Sequence, residues 1–178
     1  FVGGSKEALN ARTLRELLKA GISVAALNYR FVTQEPLPAA HHDCRRALQF
    51  LRSKSDEWSI DKTRVAAFGG SAGAQVSMYL GFHDEMADPR SDDPVEREST
   101  RLTCIATMGG QTTLDFAWWQ EHIPGNGNLR HDLERVFGTI AHDEYLKRVN
   151  GLSALTLISQ DDPPIFMVYA MRPDSPVP

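Results

Sequence analysis

Apolar positions along this chain fall into two patterns: short unbroken runs, and stripes that recur every three or four residues. "ISVAAL" (22–27), "RVAAF" (64–68), "LTCIATM" (102–108) and "PIFMVYA" (164–170) are runs of strand length, suited to strands buried on both faces. Between them lie helical stripes. Leu14, Leu17 and Leu18 predict a helix over 6–20, capped by Ser5 and stopped at Gly21. Ala40, Cys44, Ala47, Leu48 and Leu51 share one face of a helix over 39–54. Further helices are expected over 74–82 and 143–149.

The resulting order is helix, strand, helix, strand, helix, strand, insertion, helix, strand. Buried strands alternating with helices predict right-handed βαβ units, and so an α/β fold with a mostly parallel sheet and helices on both faces. Residues 83–100 are acidic, polar and proline-bearing, and read as an excursion loop. Residues 110–140 break the alternation: they hold Phe116, Trp118, Trp119, the run "PGNGN" and short helical pieces, a pattern expected of a cap or lid-like insertion. Residues 1–178 read as a single α/β domain, incomplete at both ends.

Charge narrows the partners. With 19 basic and 23 acidic residues the formal charge is −4, which disfavours nucleic acid or an anionic membrane surface as the main partner. No apolar stretch reaches membrane-spanning length. The chain opens on Phe1 rather than Met, so cytoplasmic and secreted locations stay open, as does the oligomeric state. Cys44 and Cys104 sit in apolar surroundings and read as buried free thiols. No His/Cys cluster has metal-ligand spacing, and neither metal nor cofactor is expected.

The chemistry concentrates at Gly69-Gly70-Ser71-Ala72-Gly73, a G-x-S-x-G pattern that joins a predicted strand to a predicted helix. Glycines two residues either side of the serine would let strand and helix approach without a Cβ clash. The hydroxyl would stand above the C-terminal edge of the sheet at the positive end of a helix, with the Ala72 N–H directed to an oxyanion. The same letters also suit a glycine-rich turn with an N-cap serine. A dinucleotide loop is set aside, because Gly69, Gly70 and Gly73 lack G-x-G-x-x-G spacing.

Surrounding segments make a resemblance specific. "NYRF" (28–31), "PLPAAHHDCRRALQFLRS" (36–53) and "IDKTRVAAFGGSAGA" (60–74) resemble the esterase/lipase branch of the α/β-hydrolase superfamily related to hormone-sensitive lipase. Tyr29-Arg30, Ala40 with Asp43, and Asp61 with Arg64 match that branch in order and spacing. The opening "FVGGSKE" resembles the stretch just after a His-Gly-Gly-Gly oxyanion loop. "YAMRPDSPVP" (169–178) resembles the segment bearing the triad acid, which places Asp174 in that role; Tyr169-Ala170 depart from the usual His-Gly, and one extra residue precedes Asp174. Asp161 and Asp162 are fallback acids that precede the strand.

The resemblance implies a serine hydrolase acting through an acyl-enzyme on a small-molecule ester, with short-acyl or carbohydrate esters expected. An amide hydrolase of peptidase or aryl formamidase type, and a non-catalytic binding member of the fold, are the alternatives. Its triad order is Ser, Asp, His, yet all six histidines (His41, His42, His83, His122, His131, His142) precede Asp174. His41 and His42 read as solvated or capping groups at the head of a helix. The base is therefore expected outside residues 1–178. Without it, and with one oxyanion donor fewer, at a cost of roughly 10²–10³ in kcat, residues 1–178 alone are expected to be inert.

Overall fold

A computed structural model describes residues 1–123 and 129–169. A single 3-10 turn, Lys6–Ala8, precedes α1 (Ala11–Lys19). The order continues α2 (Ala39–Ser53), α3 (Ser55–Trp58), β1 (Ala66–Gly70), α4 (Ala72–Phe82) and β2 (Cys104–Met108). It ends α5 (Phe116–His122), α6 (Leu129–Phe137), α7 (His142–Leu152), α8 (Ala154–Leu157) and β3 (Ile165–Val168). The strands form a parallel sheet in the order β1-β2-β3, with Phe68 opposite Ala106 and Ala106 opposite Phe166. The α/β architecture expected from the alternation is present.

The predicted helix over 6–20 divides at its start. Ser5 accepts from Glu7 N and caps only the 3-10 turn, while the Asn10 side chain accepts from Arg12 N and Thr13 N, each at 3.0 Å, and starts α1. The stop at Gly21 holds: Gly21 takes φ +74°, and Ile22 N bonds back to Leu17 O. Residues 22–27 do not form the expected strand. The apolar run specifies composition, whereas a strand also needs a neighbouring ladder, and among the described residues the sheet ends at β1. Ile22 and Leu27 are accordingly exposed.

Helix α4 is apolar almost all round, and every residue from Ala74 to Phe82 is buried. It lies on one sheet face, where a Cβ on Gly81 would stand 2.7 Å from Ile105 Cδ1. Leu37, Met78 and Phe137 are the largest fully buried apolar side chains beside Ile105, so α2, α4, β2 and α6 share one core. Phe116, Phe137 and Tyr145 continue it in edge-to-face contacts at 6.1 and 5.2 Å, binding α5, α6 and α7 to the same cluster. The opposite sheet face, carrying Phe68, Met108 and Phe166, is exposed.

That exposed face corrects two expectations: among the described residues the sheet is covered by helix on the α4 side and not on both, and only one of the two cysteines is buried. Cys44 is buried on α2, where burial pushes its thiol up to about 12. Cys104 is exposed, because it alternates with Ile105 along β2 and so points away from α4.

Candidate active site

The turn between β1 and α4 is one residue wide. Ser71 alone occupies it, at φ 51° and ψ −117°, a region that residues with a Cβ rarely enter. Its N–H donates to Met108 O at 2.9 Å, which fixes the corner to the end of β2, and its carbonyl accepts from Gln75 N at 3.1 Å as the first bond of α4. The residue is exposed, and its hydroxyl makes no cap to the helix. Ala72 is the first residue of α4, so its N–H has no carbonyl one turn back inside the helix.

The glycines around the serine are not equivalent. A Cβ on Gly69 would stand 2.5 Å from the carbonyl carbon of Gly73, so the strand can pass the helix only with hydrogen there. A Cβ on Gly73 would meet nothing within 4 Å, and one on Gly70 only Met108, its Cε at 3.6 Å. The expected need for glycine on both sides of the serine therefore holds on one.

Beneath the corner lies a polar connection that the sequence pattern does not announce. Gln75 and His41 are both fully buried, with His41 Nε2 2.6 Å from Gln75 Oε1, and Gln75 Nε2 donates to Leu152 O at 2.7 Å. Nε2 carries the proton in that bond, which leaves Nδ1 buried without a partner. Burial pushes the His41 pKa down to about 4. The ring packs against Phe1 at 5.4 Å and edge-on to Tyr79 at 4.8 Å, so His41 is an interior residue and not the solvated or capping group expected. The available signal is a lone glutamine one turn after the serine in a mostly apolar helix.

Two other histidines, His83 and His122, are engaged by their own neighbours. His83 Nδ1 lies 3.2 Å from Asp84 O, and His122 stacks on Trp118 at 4.5 Å. The acids at 161 and 162 precede β3, at the sheet edge opposite Ser71: Asp161 pairs with Arg101 at 2.8 Å, and Asp162 accepts from Ser159 N at 2.6 Å. Asp174 lies outside the described residues, as do Val177 and Pro178. Just before that segment, the Tyr169 hydroxyl donates to Gly110 O at 2.7 Å, close behind the end of β2.

The paired motif residues upstream do meet. Arg30 Nη2 binds Asp43 Oδ1 at 2.7 Å, its Nε binds Oδ2 at 2.9 Å, and its backbone N–H binds Oδ2 at 2.9 Å. The guanidinium holds the Asp43 carboxyl below its usual range. Asp61 Oδ1 accepts from Thr63 N at 2.9 Å and shapes the turn entering β1. Among the described residues no group of three or more His, Cys, Asp or Glu could hold a metal ion, and no helix is long and apolar enough to cross a membrane.

The BD-FAE family model matches residues 1–178. The chain is 27% identical over 175 residues to "Probable carboxylic ester hydrolase LipM" of Mycobacterium tuberculosis, covering 98% of this chain and 39% of the relative. It is 35% identical over 142 residues to "Probable carboxylesterase 3" of Arabidopsis thaliana, covering 75% of this chain and 40% of that protein. Among solved structures, the acetyl ester-xyloside bifunctional hydrolase from Caldicellulosiruptor lactoaceticus superposes with a TM-score of 0.73 at 27% identity, over 94% of this chain and 58% of that one. The chain thus spans about two-fifths of the length of these curated relatives.

Proposed function

Because the chain belongs to the BD-FAE family, we propose that it is the nucleophile-bearing part of a serine hydrolase that cleaves carboxylic esters. The observation that carries this reading is the left-handed backbone of Ser71, which holds an exposed hydroxyl at a one-residue corner between β1 and α4. Strain of this kind persists only where the surroundings over-determine it, and it gathers at reactive sites.

In the proposed reaction Ser71 Oγ attacks the ester carbonyl carbon as its proton passes to an imidazole, and the carbonyl oxygen becomes negative. Ala72 N–H donates to that oxygen. The tetrahedral adduct collapses, and the alcohol leaves with the proton returned by the imidazole. Water then attacks the acyl-enzyme by the same sequence and releases the acid. Asp174 holds the imidazole in the correct tautomer and balances its charge when protonated. The imidazole comes from sequence flanking residues 1–178, a reading supported by the burial of His41 and the stacking of His122. No cofactor is required.

Short acyl groups carried on a carbohydrate are the proposed substrates, a reading supported by likeness to a hydrolase of acetyl esters and xylosides. Trp118, exposed on α5, and the rest of 110–123 are the proposed cap over the site. The test uses the chain with its flanking sequence, p-nitrophenyl acetate and an acetylated xylo-oligosaccharide. Hydrolysis that disappears in Ser71→Ala, with a fluorophosphonate adduct on Ser71, is the expected result. An unlabelled Ser71 in an active protein would overturn the assignment. Residues 1–178 alone are expected to turn over neither ester; turnover by that piece, lost in Ser71→Ala, would refute the external imidazole.

A further inference from the structure

A second concave site lies away from Ser71, where α2, the last turn of α4 and α7 come together. Tyr79 marks its position on α4, about 12 Å along the helix axis from the serine. The cleft encloses about 470 Å³, the size of a small-molecule site. Its charge runs against that of the chain: Arg45, Lys147 and Arg148 line it with one carboxylate, Glu144, while the whole chain carries −4.

The neighbouring acids are engaged by other groups, Glu144 chiefly by Arg148, so Arg45 and Lys147 have no ion-pair partner of their own among the described residues. Glu144 is bound to Arg148 Nε at 2.8 Å, and Asp43 is held by Arg30. Arg148 Nη1 also donates to Leu37 O at 2.8 Å, which fixes that guanidinium in the cleft wall. Arg45 and Lys147 make no ion pair among the described residues, and Arg45 Nε is buried with no acceptor. Two cations without an ion-pair partner thus line one cleft, the arrangement an anion site requires.

We propose that this cleft binds a doubly charged phosphoryl oxyanion, either inorganic phosphate or the phosphate of a small ester. Arg45 supplies the planar fork and Lys147 the point charge. Tyr79, Leu152 and Pro38 give the cleft an apolar wall that an ester's organic part would cover. The net negative charge of the chain and the concavity of the site favour a small ligand over a nucleic acid or an anionic membrane. This inference stands independently of ester hydrolysis.

The test is thermal stability and amide NMR of the chain with its flanking sequence at constant ionic strength, titrated with inorganic phosphate, glycerol 2-phosphate and acetate. Saturable shifts near Arg45 and Gly151 are expected with both phosphates, and much weaker ones with acetate. Arg45→Gln or Lys147→Gln should weaken phosphate binding about tenfold. Lys147 is exposed, so Lys147→Gln separates lost binding from lost folding. Tighter binding of the ester than of inorganic phosphate assigns the ligand to an organic phosphate; equal binding assigns it to the ion. A response that never saturates, that acetate matches, or that survives in both variants overturns the proposal.

Discussion

Gly69 and Gly73 touch through their backbones: a Cβ on the first would lie 2.5 Å from the carbonyl carbon of the second, whereas a Cβ on the second would lie in open space. One methyl group therefore has opposite consequences four residues apart. In Gly69→Ala the strand must retreat from α4, and the corner at Ser71 opens. A loss of about 2–4 kcal/mol is expected, comparable to overpacking a core, together with loss of Ser71 labelling. Gly73→Ala sits in the first turn of a helix with room for the methyl group and should change stability by less than about 1 kcal/mol. Urea unfolding of the two variants checks the contrast, and equal losses would refute the one-sided clash.

Ser71 itself stores strain. At φ 51° and ψ −117° a side chain is disfavoured and glycine is not. Ser71→Gly should be more stable than Ser71→Ala by about 1 kcal/mol, although neither can form an acyl-enzyme. The comparison is made between two inactive variants, so it isolates the backbone from the hydroxyl. A Ser71→Ala protein at least as stable as Ser71→Gly would show that the corner is unstrained.

These residues also show which parts of the molecule the sequence discloses. Alternating runs and stripes located α2, α4, β1, β2, α7 and β3 closely: the helices and β2 bury apolar sets in one core, while β1 and β3 bring only part of theirs against it. The serine corner was legible because its small residues have a steric purpose. Residues 22–27 were not, since pairing depends on a neighbour rather than on composition. Cys104 was misread for a related reason: strand alternation tells which residues share a face, but not whether anything covers it. His41 was hidden because its partner, Gln75, lies on another helix and no local pattern joins them.

The contact between Arg30 and Asp43 ties the loop after residue 27 to the second turn of α2. Arg30 is substantially exposed, so solvent screens the pair, and Asp43→Asn should cost only about 1 kcal/mol despite the bidentate geometry. Because the Asp43 pKa is lowered by folding, the contribution is present above the ordinary carboxylate range and fades as pH falls through it. A double-mutant cycle with Arg30→Gln measures the coupling. Coupling indistinguishable from zero at low salt would show that the loop is held by other contacts.

His41 gives the chain a second, distinct acid sensitivity. Its folded pKa of about 4 lies below the ordinary 6.5, because burial disfavours the charged ring. Between those two values the unfolded chain binds a proton that the folded chain refuses, so stability must rise with pH across that window and fall as pH drops from 6.5 toward 4. The full span corresponds to roughly 3 kcal/mol. The Gln75 contact favours the charged ring, but protonation would bury a charge and an unpartnered Nδ1–H against Tyr79 of α4, so loosening of α4 should accompany the loss. Urea midpoints measured from about pH 7 down to about pH 4.5 should shift progressively, and His41→Gln should flatten that dependence even if the variant is less stable at neutral pH. An unchanged slope in His41→Gln would assign the sensitivity to His42, whose pKa burial also lowers, and to the carboxylates.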